Sequence, residues 1–170
     1  MKKLMFLSTV LALTVTVACG QADKSKRPSP PAKVTQTISS GATITIDYSQ
    51  PSLKGRSVGK EVAPYGQVWR TGANERTTFE TSKDIKVEGD DVKAGKYALF
   101  TIPGETDWTI IFSKDASGDA LEYKEGDDLF RVKVKPSKTS TSTEKMTFQI
   151  AKNGVVSLLW GTHKVDFKVQ

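Results

Sequence analysis

One cysteine and one histidine, Cys19 and His163, are the chain's whole supply of the two side chains that most often carry redox or metal chemistry. Because Cys19 sits near the N-terminus, the remaining chain has no thiol pair for an internal disulfide and must be stabilised by packing. A catalytic zinc takes three protein ligands, usually with more than one histidine, so that class falls away. A serine–histidine–aspartate triad would have to use His163, and no Gly-x-Ser-x-Gly occurs. The segment from Gly89 to Lys96 imitates a phosphate-binding loop, but its spacing is one residue too long. Tyr97 also stands where Ser or Thr would bind magnesium. No catalytic residue, cofactor or metal ligand is therefore assigned. Convincing helical periodicity is missing too; Asp115 to Tyr123 offers at most a single turn. No internal repeat occurs.

The longest apolar run, Leu4 to Val17, has about 14 residues and falls short of the roughly 20 that span a bilayer. It follows Lys2-Lys3 and leads through Ala18 to Cys19 and Gly20, the pattern of a secretory signal with a cysteine at the cut. Residues 1–18 are expected to be a lipoprotein signal peptide, and Cys19 the acceptor of palmitate-type acyl chains. Two or more such chains hold a protein stably on a bilayer, at about 0.8 kcal/mol per buried methylene. Residues 19–33 carry Lys24, Lys26, Arg27 and Lys33 against Asp23, with Pro28, Pro30 and Pro31. That composition predicts an extended tether. Gly20 is unlike an inner-membrane retention signal, so the expected location is the Gram-negative outer membrane, on either face.

Residues 34–170 have the length of one domain and can bury a real core. They hold 19 Lys+Arg against 18 Asp+Glu, a net charge of about +1. The basic balance of the full chain thus lies in its N-terminal segments, and a nucleic-acid partner is not expected. Period-two alternation dominates. Ala42, Ile44, Ile46 and Tyr48 share one face, and so do Trp108, Ile110 and Phe112. Phe130, Val132 and Val134 repeat the pattern, as do Met146, Phe148 and Ile150, then Val165, Phe167 and Val169. Asn153-Gly154 predicts a hairpin turn with positive φ at both central residues. Gly161-Thr162 reads as the turn of a last hairpin, and Ser137 to Thr143 as a polar loop. Eight to ten short strands with little helix predict an all-β, antiparallel β-sandwich of jelly-roll or Greek-key type.

Between Tyr48 and Gln67 lie about 18 residues without periodicity but rich in Gly and Pro, which suits a shaped Ω-type loop. The richest polar stretch follows it, from Trp69 to Arg76. Arg70 presents a planar fork of donors suited to carboxylate or phosphate, and Asn74 can donate and accept. Trp69 can stack on a sugar or aromatic ring. Tyr48, Arg56, Trp69, Arg70 and Asn74 are the candidate ligand-binding residues. Two readings of Arg70 stay open: it lines a pocket, or it pairs with a carboxylate such as Asp47. His163, on the parity of Val165 and Phe167, reads as structural. Asp115, Ser117, Asp119 and Glu122 supply oxygens without the spacing of a known calcium loop.

Several runs together resemble a bacterial family known as domain of unknown function 2911. They are Tyr48-Ser49-x-Pro51-x-x-Lys54-Gly55-Arg56, Tyr65-Gly66-x-Val68-Trp69-Arg70-Thr71-Gly72-Ala73-Asn74-Glu75, Ala94-Gly95-x-Tyr97-x-Leu99-Phe100-x-Ile102-Pro103-Gly104 and Trp108 to Phe112. The resemblance implies an exported or lipid-anchored, mostly β domain and supplies no activity. The leading expectation is an envelope lipoprotein whose sandwich binds a small polar ligand, a glycan or a protein partner. One alternative is an envelope carbohydrate hydrolase or lyase using paired carboxylates, with residues such as Asp47 or Glu75 as acid and base. Another is a structural subunit of an envelope complex.

Overall fold

Alternating strands satisfy their backbone groups only by pairing, and in the computed structural model, which describes residues 23–170, they pair almost wholly antiparallel. Twelve strands follow in chain order. The first six are β1 (Pro31–Thr37), β2 (Thr43–Ser49), β3 (Val58–Gly59), β4 (Val62–Pro64), β5 (Thr78–Thr81) and β6 (Ile85–Val87). They continue as β7 (Asp90–Val92), β8 (Gly95–Ile102), β9 (Trp108–Ser113), β10 (Asp128–Val134), β11 (Ser137–Ile150) and β12 (Val155–Lys168). The main sheet has six strands in the order β1-β2-β5-β8-β9-β10, so its connections are those of a meander with small pairs inserted. β11 and β12 form a long hairpin. The pairs β3–β4, which is parallel, and β6–β7 exceed the expected count of strands because they are too short to show alternation.

The inner face of the main sheet packs on that hairpin. Ile44, Ile46, Phe79, Leu99, Trp108, Ile110 and Phe112 meet Met146, Phe148, Val156, Leu158, Val165 and Phe167 in one continuous core. Phe79 and Phe112 meet edge-on at 5.2 Å between ring centroids, and Phe112 meets Phe167 edge-on at 6.0 Å. Such pairs contribute about 0.5–1.5 kcal/mol each beyond their burial. The chain is therefore all-β and sandwich-like, with a six-stranded layer over a two-stranded one.

Two expectations about the hairpin are corrected. Ser137 to Thr143 is strand, not loop: Ser137 and Lys138 pair with Lys164 and His163 at the start of β11. A Ser/Thr run is compatible with a ribbon wetted on both sides, where no apolar face is needed. Gly161 makes no turn. It lies inside β12 opposite Thr143 at a register shift, and its φ of +60° marks a bulge. The turn is at Asn153-Gly154 as expected, but only Gly154 has positive φ, at +88°. A Cβ on Gly154 would overlap the Val169 carbonyl.

The expected signal 1–18 and Cys19 lie outside the described residues. The domain boundary expected at Val34 falls inside β1, where Pro31, Ala32 and Lys33 already pair with Ser49, Tyr48 and Asp47. The segment before it is held too. The amide of Gln50 donates to the Pro30 carbonyl at 2.9 Å, and Lys24 and Arg27 pair with Glu75. The tether's prolines suit an edge strand, and its cations found a carboxylate on the domain.

Candidate functional site: two clefts on the outer face

Among the described residues no second sheet lies over the outer face of the main sheet. Its centre is a small apolar cluster of Ala98, Phe100 and Ile111, joined by Ile102 and Tyr123. Tyr123 belongs to the connection between β9 and β10, which folds back over this face. Phe100 and Tyr123 meet edge-on at 5.2 Å.

The polar run after Trp69 forms a tight knot beside that cluster. Trp69 exchanges backbone hydrogen bonds with Thr101 at 2.8 and 2.9 Å, which extends the sheet by one bridge. Thr71 is fully buried with φ of +56°; its hydroxyl donates to the Trp69 carbonyl and shares a hydrogen bond with Thr101 Oγ1, each at 3.2 Å. Thr77 Oγ1 in turn donates to the Thr71 carbonyl at 2.8 Å. A Cβ on Gly72 would lie 2.8 Å from Thr77 Oγ1, so glycine is required for the knot to close. Thr71 and Asn74 both hold left-handed backbone, which costs a non-glycine residue about 1–2 kcal/mol. Strain of this kind concentrates at functional sites.

Arg76, at the end of the knot, organises the rest. Its side chain is only 6% exposed. Nε donates to the Asp119 carbonyl at 2.7 Å and Nη2 to the Glu122 carbonyl at 2.6 Å. Nη1 donates to the Asp115 carbonyl and pairs with Asp115 Oδ2 at 3.1 Å. The guanidinium lies 5.5 Å from the centre of the Phe100 ring. The oxygen-rich segment read as a weak metal loop is thus wrapped around an arginine. Among the described residues no group of three or more His, Cys, Asp or Glu side chains is placed to hold a metal. A side chain on Gly118 would overlap Asp115 Oδ2 and approach Arg76 Nη2 to 2.7 Å.

Clefts open on both sides of this clamp. The larger, of about 580 Å³, is lined by Asn74, Glu75, Arg76, Thr78, Lys96 and the 116–120 turn, with Asp47 at its edge. The smaller, of about 220 Å³, is lined by Val68, Trp69, Arg70, Phe100, Leu121 and Tyr123, with Ala120 shared between the two.

The expected site residues therefore divide. Asn74 is in the larger cleft, where Nδ2 also donates to the Ser29 carbonyl at 2.8 Å. Trp69 and Arg70 are in the smaller one. Trp69 stacks on Trp160 at 5.3 Å, so one of its ring faces is already covered. Arg56 is elsewhere, bracing its own turn through the Leu53 and Ser52 carbonyls at 2.9 Å each. Tyr48 is core: its ring meets Phe148 edge-on at 5.0 Å, and its hydroxyl accepts from the Phe148 amide at 3.1 Å. Burial pushes that hydroxyl above the ordinary phenol range. Asp47 pairs with Lys33 at 3.1 Å, not with Arg70. Lys96 and Thr78 are not among the expected site residues, although their strand parity with Phe100 marks them as outer-face positions, and Ser117 enters the sequence reading only as a weak metal-loop oxygen. His163 is structural in its contacts: Nε2 accepts from Lys138 Nζ at 2.7 Å and lies 3.3 Å from the Tyr65 hydroxyl.

A family model described as protein of unknown function (DUF2911) matches residues 29–169. The chain belongs to that family. No curated protein and no solved structure matches it. The DUF2911 match begins at Ser29, whose carbonyl Asn74 holds, and so takes in part of the segment expected to be a tether.

Two carboxyls at or beside the larger cleft are held below their ordinary range. Glu75 is held down to about 2 by its hydrogen bonds from Arg27 and Lys24 and by its own backbone amide. Burial pushes Asp115 up, but the Arg76 charge and the Gly118 and Ser117 amides outweigh it and hold the carboxyl below its usual range. A general acid needs a pKa near the working pH, and these two carboxyls are displaced the other way.

Proposed function

We propose that this protein is a non-enzymatic binding module of the Gram-negative envelope, lipid-anchored through Cys19 at the outer membrane. Its ligand is a hydroxyl-rich polar molecule, an envelope glycan, taken up in the larger outer-face cleft. One observation carries the reading. The cleft presents amide, hydroxyl, ammonium and carboxylate groups side by side, while Glu75 is ion-paired and held ionised. Its volume falls within the about 300–1,000 Å³ of small-molecule sites. Neighbouring donors and acceptors suit binding of sugar hydroxyls, and an ion-paired Glu75 held ionised disfavours the hydrolase alternative that would use it as acid.

The test uses peptidoglycan fragments and outer-membrane core oligosaccharides as probes for the full-length protein in detergent. Lys96 and Ser117 make no side-chain hydrogen bond among the described residues, so their removal reports on ligand more than on fold. Lys96→Ala is expected to weaken glycan binding about 10- to 100-fold, the range for loss of a charged hydrogen bond of about 1.5–3 kcal/mol. The glycan should be recovered uncleaved. Cleavage by wild type that is lost in Glu75→Gln would replace the reading with the hydrolase. On the anchor, Cys19→Ser should remove acyl mass and move the protein to soluble fractions.

A further inference from the structure

The chain has five arginines, and four of them have side-chain partners among the described residues. Arg27 pairs with Glu75 at 2.7 Å, and Arg56 caps two carbonyls of its own turn. Arg76 holds the 115–122 segment through three carbonyls and Asp115. Arg131 reaches Asp128 at 2.7 Å, Glu125 at 2.9 Å and the Tyr123 hydroxyl at 2.6 Å. Arg70 differs: among the described residues it makes no ion pair and no side-chain hydrogen bond, although it is half-buried in a cleft wall.

That wall is otherwise apolar. Trp69, Phe100 and Tyr123 supply rings, and Leu121 and Val68 are 79% and 39% exposed, two of the three large apolar side chains left open to solvent among the described residues. The Tyr123 hydroxyl does not compete for Arg70. It donates to Asp128 Oδ2 at 2.7 Å, and burial together with that carboxylate pushes its pKa up to about 12. Tyr123 therefore presents its ring, not its oxygen, as the polar end faces Asp128. No carboxylate lines this cleft.

A guanidinium fork without a partner, set in an aromatic wall with exposed aliphatic side chains at its rim, is complementary to one kind of molecule. We infer that the Arg70 cleft binds a small carboxylate whose body is a single aromatic ring or short apolar chain. The carboxylate would take the fork bidentately, and the apolar body would lie among Trp69, Phe100, Leu121 and Tyr123. The volume of about 220 Å³ lies below that of a drug-sized site, which limits the body to about one ring. This site meets the glycan cleft at Ala120 and does not depend on it.

The test is titration calorimetry on the full-length protein in detergent, with 3-phenylpropionate as probe and its uncharged amide as control. The carboxylate is expected to bind saturably and at least 10-fold more tightly than the amide. Arg70→Gln should abolish that preference with little change in melting temperature, and Arg70→Lys, which keeps charge but loses the fork, should retain only part of it. Lys96→Ala should leave carboxylate binding intact even where it weakens glycan binding. The inference is overturned by absence of saturable binding, by equal affinity for acid and amide, or by a preference that survives Arg70→Gln.

Discussion

Arg76 and Arg70 stand six positions apart in one polar run and have opposite roles, because only one of them is surrounded by oxygen. The sequence marks Arg70 as a candidate and Arg76 only as the end of its polar run, and it also marks the oxygen-rich stretch from Asp115 to Glu122. What it cannot show is that three of the oxygens around Arg76 are backbone carbonyls, which become available only when the β9–β10 connection folds back. Arg76→Ala should destabilise the domain by about 2–3 kcal/mol. That is less than the about 3–5 kcal/mol for breaking a fully buried pair, because the Asp115 side chain is 33% exposed. Limited proteolysis should then cut within residues 115–122, and wild type should resist it there. Gly118→Val should expose the same segment by overlap with the clamp. A variant Arg76→Ala with wild-type melting and protease resistance would remove the clamp from this account.

At the scale of elements, alternation located β2, β9, β10 and the inner halves of β11 and β12, since each has one dry face. It failed where a strand is wet on both sides, at Ser137 to Thr143, and where composition resembled a linker. The segment from Asp23 to Pro30 is fastened to the domain by Glu75, Asn74 and Gln50, each a contact between residues distant in sequence. The Glu75 tie has a defined pH dependence. Its folded pKa lies below the ordinary 4.5, at about 2, so its contribution is complete above pH 4.5 and is lost as pH falls through 2. Backbone ¹⁵N relaxation of residues 24–27 should show loosening over that interval. Glu75→Gln should show it at pH 7, and a segment equally ordered in both conditions would contradict the role given to Glu75.

For the whole molecule, the unequal layers matter most. A two-stranded ribbon covers one side of a six-stranded sheet, and the other side carries the β9–β10 connection, the arginine clamp and the clefts beside it. A sandwich was legible from strand count and turn chemistry. Which face would stay open was not, because that depends on where the β9–β10 connection settles. The most direct test of the claim that this open face is a ligand site is chemical-shift mapping of the isotopically labelled protein during titration with envelope glycan fragments. The account predicts saturable shifts at residues 74–78, at Lys96 and at residues 116–120, with the inner-face amides of β11 and β12 unmoved. Shifts confined to the Ω-type loop around Arg56, or absent from the whole outer face, would contradict it.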